Sequence, residues 1–204
     1  MTLIKICGVM SVEDALAAAQ VGADLVGLVF AESPRRVALD QAGRIIRALP
    51  RTLLSVGVFM DQPQELILRA RDAVDLDLIQ LHGDEEPDFF ARLSPSIIKR
   101  IRVTPQDTAE TLRRRAAHFA TEHVLLDPGA GSGRTFDWNV ATGFPYRYFL
   151  SGGLTPDNVA DAVRRLRPYG VDVSSGVERS PGRKDHVRMR DFVQAVREAD
   201  ASRS

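Results

Sequence analysis

Short apolar, β-branched runs alternate along the chain with segments whose apolar residues recur every three to four positions. The strand candidates are Leu3–Cys7, Leu25–Phe30, Leu53–Phe59, Leu76–Leu81, Ile97–Val103, His123–Asp127, Tyr146–Ser151 and Val171–Ser174. Their C-terminal ends fall about 24 residues apart on average, which fits one compact strand–helix unit. The helical segments carry start signals. Ser11-Val-Glu-Asp14 is a capping pattern ahead of Leu16 and Ala19. Leu39, Ala42, Ile45, Ile46 and Leu49 share one helical face, and Leu66, Ile67, Ala70 and Val74 share another. Thr155-Pro156 places a capping hydroxyl before a proline at the first helical position, followed by Val159, Ala162, Val163 and Leu166. Phe192, Val193 and Val196 give the last helix its apolar face. The sixth unit is the exception. A glycine-rich connection leaves room only for a short helix around Phe136–Thr142.

Alternating β and α segments with continuously apolar strands predict a parallel sheet covered by helices. A doubly wound open sheet has five or six strands as a rule, so eight similar units favour a closed (β/α)8 TIM barrel. The usual size of that fold is ~250 residues, and 204 makes this a compact example. No linker or shift in composition divides the chain. We expect one domain over residues 1–204, with a frayed tail from Ala199 to Ser204.

Composition narrows the chemistry. A single cysteine excludes an internal disulfide framework and a zinc site built from several thiolates. Lysine plus arginine and aspartate plus glutamate number 27 each, which argues against a general nucleic-acid binder. No run approaches the ~18–20 apolar residues of a membrane span, and the N-terminus lacks a targeting pattern. A cytoplasmic protein with a free thiol is expected. The histidines form no metal signature. His118 and His123 straddle a helix-to-strand boundary, and His186 lies in the charged run Arg183–His186, expected to be a solvated loop. No cofactor or metal is called for.

In a barrel of this kind the chemistry sits at the C-terminal ends of the strands. The unusual residues fall there: Cys7-Gly8, Gln80 with His82-Gly83, Asp127-Pro128, Ser151-Gly152-Gly153 and Ser174-Ser175-Gly176. Loops after the seventh and eighth strands often hold phosphate, because glycines let backbone N–H groups approach the anion. Gly152, Gly153, Ser174, Ser175 and Gly176 supply such turns, although each glycine alone also suits an ordinary turn. A phosphorylated small molecule is therefore the preferred ligand class. On the first strand, Lys5 and Cys7 share a face. A buried lysine requires a partner, and Asp172 on the adjacent last strand is the candidate. Asp127 ends the sixth strand, across the mouth from Cys7. Such a pair can take one proton and give another, although an Asp-Pro turn accounts equally for Asp127. Arg35-Arg36 can hold a carboxylate by paired bonds, and a solvated position is favoured for Arg35. The glycine-rich segment 129–134 suits a mobile lid.

Taken together, Lys5-Ile-Cys-Gly8, Gln80-Leu-His-Gly83, Leu126-Asp127, Gly131-Ser-Gly-Arg-Thr-Phe-Asp-Trp138, Leu150-Ser-Gly-Gly-Leu154 and Val171-Asp-Val-Ser-Ser-Gly-Val-Glu178 resemble phosphoribosylanthranilate isomerase of tryptophan biosynthesis. The resemblance spans essentially the whole chain. It implies the Amadori rearrangement of N-(5-phosphoribosyl)anthranilate to 1-(2-carboxyphenylamino)-1-deoxyribulose 5-phosphate, without cofactor or metal. It implies Cys7 as general base, Asp127 as general acid, Arg36 near the anthranilate, and phosphate at Gly152, Gly153, Ser174, Ser175 and Gly176. Gln80 and His82 match positions at the barrel mouth. Ala130 departs from the family, which often has glycine there. With no synthase domain before Met1, a stand-alone isomerase is expected, as monomer or homodimer, with neither nucleic acid nor membrane as partner. The nearest rival is the histidine-pathway isomerase. It typically has an aspartate where Cys7 stands and two similar half-barrels, and neither feature is present. A non-catalytic sensor of phosphorylated metabolites has no need of both Cys7 and Asp127.

Overall fold

A computed structural model of the chain describes residues 1–90, 93, 97–119, 121–129 and 135–202. Eight parallel strands close into a barrel in chain order. They are β1 (Leu3–Cys7), β2 (Leu25–Val29), β3 (Leu54–Phe59), β4 (Leu78–Leu81), β5 (Ile97–Arg102), β6 (His123–Asp127), β7 (Tyr148–Leu150) and β8 (Gly170–Val173). The helices on the outside are α1 (Val12–Gln20), α2 (Leu39–Ala48), α3 (Gln64–Val74), α4 (Pro87–Phe90), α5 (Ala109–Phe119), α6 (Val159–Leu166) and α7 (His186–Ala201). Among the described residues between β6 and β7 the helical segment is a short 3-10 helix over Trp138–Ala141, as the short sixth unit predicted. The eight predicted strands are all present, most of them trimmed by one or two residues at an end.

Strand alternation divides the core in two. One face of each strand packs against the helices in a large apolar layer that includes Ile4, Ile6, Val26, Leu28, Ile79, Leu126 and Leu150. The other face fills the barrel with a smaller cluster, Leu25, Val56, Ile98, Leu125 and Phe149. Two residues further along that inward face come Val58, Arg100, Asp127 and Ser151, so the inner wall turns polar toward the C-terminal ends of the strands.

The capping pattern at α1 is as expected, with Ser11 Oγ accepting the Asp14 N–H at 3.0 Å. The start of α6 differs. Thr155 was expected to cap it, yet the α-helix begins at Val159 after a turn over 156–158. The Asn158 side chain takes the Thr155 N–H at 2.9 Å and donates to the Gly153 carbonyl at 2.9 Å, so the first turn is used to brace the preceding loop. The end of the chain also differs from expectation. Residues 199–201 belong to α7, and Ala199 is fully buried. Asp200 is tied to Thr2, whose backbone N–H and hydroxyl both donate to it at 2.6 and 2.8 Å. The helix therefore continues to the last described turn instead of fraying.

The run Arg183–His186 is not a solvated loop. Arg183–Lys184 (β10) pairs with Glu178–Ser180 (β9) in a small antiparallel hairpin. Lys184 is 1% exposed. Asp185 caps α7 by accepting the Val187 and Arg188 N–H groups, and His186 Nε2 lies 2.8 Å from Asp14 Oδ1. Lys184, the buried member of the run, keeps its charge inside because it has specific partners.

Candidate active site

The strand ends surround a cavity of about 350 Å³. Its wall contains Cys7, Gln80, His82, Asp127, Ser151, Asp172, Ser174 and Ser175, with Val29, Ala31, Val58 and Met60 as an apolar side. A smaller cavity of about 50 Å³ adjoins it and shares Asp127, Ser151, Asp172, Ser174 and Ser175. Gly152, Gly153, Leu154 and Gly176 complete that second wall.

Lys5 is fully buried, and its Nζ lies 2.7 Å from Asp172 Oδ1, the partner expected from the strand pattern. The register places Lys5 directly beside Asp172 on the neighbouring strand. Burial works against the Lys5 charge, but Asp172 and Cys7 outweigh it and raise its pKa. Ser151 Oγ donates to Asp172 Oδ2 at 3.2 Å. Gly27, opposite Cys7 on β2, leaves room for these groups. A Cβ there would fall 2.7 Å from Cys7 Sγ and 3.1 Å from Lys5 Nζ.

The Cys7 thiol is 8% exposed. Burial raises its pKa, and Lys5 pulls the other way without reversing the sign. Lys5 thus favours the thiolate, but too weakly to overcome desolvation. Asp127 is 5% exposed. Burial pushes its pKa up, Arg100 opposes that, and Asp172 adds to it. His82 stays neutral, because burial and the nearby Arg100 charge lower its pKa to about 3. Gln80 Nε2 lies 3.1 Å from His82 Nδ1. The amide donates there, so the ring proton sits on Nε2, 3.7 Å from Asp127 Oδ2.

The turns after β7 and β8, where phosphate was expected, rely on glycine. Gly152 and Gly153 have φ of 91° and 61°, a left-handed conformation that glycine adopts freely. At Gly176 a Cβ would collide with the backbone carbonyl of Leu154, so the two turns approach each other as closely as they do only because residue 176 lacks one. Ser174 Oγ and Gln80 Oε1 are buried without a hydrogen-bond partner among the described residues, which leaves them for a ligand.

Arg35 requires a correction. It is not a solvated loop residue: its side chain is 15% exposed and lines the cavity. Two parallel bonds join it to Glu178, Nε to Oε1 at 2.9 Å and Nη2 to Oε2 at 2.7 Å. Lys184 Nζ reaches Glu178 Oε1 at 2.9 Å and donates to the carbonyls of Cys7 and Ser174. This buried Arg–Glu–Lys cluster ties together the ends of β1, β2 and β8. Arg36, by contrast, points outward to Glu32 at 3.2 Å, with its side chain 58% exposed, and is absent from the cavity wall. The proposed lid at 130–134 lies outside the described residues.

A family model described as N-(5'phosphoribosyl)anthranilate (PRA) isomerase matches residues 4–195. The chain belongs to the phosphoribosylanthranilate isomerase family. An N-(5'-phosphoribosyl)anthranilate isomerase of Pelobacter propionicus is 44% identical over 202 residues, covering 97% of each chain. The crystal structure of the Thermotoga maritima family member superposes with a TM-score of 0.88 at 38% identity, over 97% of this chain and 100% of that one. A further structure of the family, solved in complex with reduced 1-(o-carboxyphenylamino)-1-deoxyribulose 5-phosphate, matches with a TM-score of 0.85 at 37% identity, again over 97% and 100%. The chain is accordingly an enzyme, the isomerase of tryptophan biosynthesis that acts on phosphoribosylanthranilate. Among the described residues no helix is long and apolar enough to cross a membrane.

Sequence reasoning overlooked several residues of this site. Arg100, Glu178, Lys184, Gly27 and Asn158 were not singled out for it, and Arg35 was weighed but assigned to solvent. Arg100 carried the same signal as Lys5, a cation at an inward position of an apolar strand. Glu178 and Lys184 carried none, because their meeting depends on the small hairpin after β8.

Proposed function

We propose that Asp127 and Cys7 divide the proton transfers of the family's Amadori rearrangement. Asp127, whose pKa burial raises, donates a proton to the ribose ring oxygen as the bond from that oxygen to C1 breaks. The nitrogen lone pair of the anthranilate forms the C1 iminium. The Cys7 thiolate then takes the proton from C2, and the C–H electron pair moves into a C1–C2 double bond, giving the enolamine. Loss of the proton on the C2 hydroxyl and gain of one at C1 yield the ketone. The electron sink is the substrate's own iminium, so the groups needed are an acid, a base and a cavity that excludes water. Lys5 supplies the positive charge beside the thiolate.

The phosphate is assigned to the turns at Gly152, Gly153, Ser174, Ser175 and Gly176, and the anthranilate ring to the apolar wall of Val29, Ala31, Val58 and Met60. Gln80 and His82 hold the floor between them. Arg36 is assigned to the anthranilate carboxylate. Its present bond to Glu32 is exposed and weak, at about 0–1 kcal/mol, so releasing it to a substrate carboxylate costs little.

The observation that carries this reading is that Cys7 and Asp127 face one cavity that opens onto both glycine turns. The test is turnover of freshly prepared phosphoribosylanthranilate, followed by loss of anthranilate-type fluorescence, with the histidine-pathway substrate run in parallel. Turnover of the first substrate alone is expected. Turnover of the second alone, or of neither, contradicts the reading. A monomer or homodimer in the cytoplasm is the expected form. A free, buried thiol suits a reducing compartment. The exposed large apolar side chains belong to six different segments.

A further inference from the structure

We propose that Arg100 is a positioning residue for the acid: it engages one oxygen of Asp127 and leaves the other to carry the transferable proton. The inference rests on the reading of Asp127 as general acid.

Arg100 lies two residues after Ile98 on the inward face of β5, and Ile98 belongs to the barrel interior. Its side chain therefore enters the barrel mouth and is 11% exposed. The guanidinium bridges two groups. Nε donates to Asp127 Oδ2 at 3.3 Å, and Nη1 donates to the His82 carbonyl at 3.0 Å. The same Oδ2 is faced by the His82 Nε2–H at 3.7 Å. With the Arg100 Nε–H donating to Oδ2, a protonated carboxyl carries its hydrogen on Oδ1. Arg100 is absent from the wall of the catalytic cavity, whereas Asp127 and His82 belong to it. The arginine thus reaches Asp127 from behind and acts through it.

The charged and titratable groups around Asp127 come from every side. Arg100 lies on β5, His82 follows β4, and Asp172 lies on β8 with Lys5 of β1 behind it. Cys7 looks across the same cavity. Burial and Asp172 favour the protonated acid, while Arg100 first and the Gly129 backbone N–H after it oppose them. Its long single bond to Oδ2 orients the carboxyl while leaving its pKa raised overall. Asp127 can then hold a proton in the resting enzyme and still release it.

The test follows the Asp127 carboxyl by 13C NMR across pH, with Asp127→Asn identifying the resonance, together with kcat and KM. Arg100→Leu should move the Asp127 midpoint up by about one pH unit, since a neighbouring cation is lost. It should lower kcat about tenfold through misorientation, with KM changed less than about twofold. Arg100→Lys should return the midpoint toward that of the parent enzyme and recover only part of kcat, because a lysine ammonium does not span both acceptors. Should Arg100→Leu fail to fold, Arg100→Lys and Arg100→Gln decide the matter. The glutamine variant should raise the midpoint while the lysine variant should not. An unmoved midpoint, or a raised KM with unchanged kcat, overturns the proposal. Near-normal turnover by Asp127→Asn overturns the assignment of the acid instead, so the two failures are distinguishable.

Discussion

Lys5 and Asp172 form an ion pair inside the barrel, with Nζ 2.7 Å from Oδ1 and side-chain exposures of 0% and 7%. Removing one partner of such a pair leaves the other charged and desolvated, which costs about 3–5 kcal/mol. Lys5→Met is therefore expected to lower the stability measured by urea unfolding by that order. It should also slow alkylation of Cys7 by iodoacetamide near pH 8, because Lys5 is the group that opposes the burial-driven rise of the thiol pKa. The folded-state pKa of Lys5 is raised, so the pair's contribution is complete below the ordinary lysine range and is lost only above it. Stability within about 1 kcal/mol of the parent at pH 7, with unchanged alkylation, contradicts this account.

His82 gives a pH dependence of the opposite sign. Its pKa falls from 6.5 to about 3 on folding, so the unfolded chain binds a proton that the native site refuses. The stabilisation is present above pH 6.5 and lost progressively as the pH falls toward 3. Urea unfolding of the parent protein at pH 5 should be accompanied by uptake of about one more proton than unfolding of His82→Gln. Equal proton uptake by the two proteins argues that His82 is charged in the native state.

Arg35 and Arg36 are adjacent in sequence and differ in consequence. Arg36→Ala should raise KM about tenfold while leaving kcat and stability close to those of the parent, since its side chain is exposed and bonds the exposed Glu32. Arg35→Ala should destabilise the fold by about 2–4 kcal/mol, because it leaves the buried Glu178 with Lys184 alone. An unchanged KM in Arg36→Ala removes that residue from the site.

The legible parts of this protein are those governed by local periodicity. Eight short, continuously apolar runs predicted eight strands, and the inward parity of Lys5 and Asp172 predicted their contact. Glycines after β7 pointed to tight turns there, and Gly152 and Gly153 do adopt left-handed backbone angles. The illegible parts depend on tertiary meetings. Arg35 read as a loop cation because its partner Glu178 lies 143 residues away. Lys184 read as solvated because nothing local shows that it turns back to the carbonyl of Cys7. Ala199–Ser204 read as a frayed tail because the bond from Thr2 to Asp200 joins the two ends of the chain. Arg100 was readable, and the rule applied to Lys5 applies to it unchanged.

The division of labour between Cys7 and Asp127 is tested most directly by the turnover of Cys7→Ser and Asp127→Asn with phosphoribosylanthranilate, each checked for native unfolding midpoints. Both substitutions keep the size of the side chain and remove its proton-transfer function. Loss of kcat by at least ~100-fold in each variant, with folding intact, is the predicted result. Near-normal turnover in either one contradicts it.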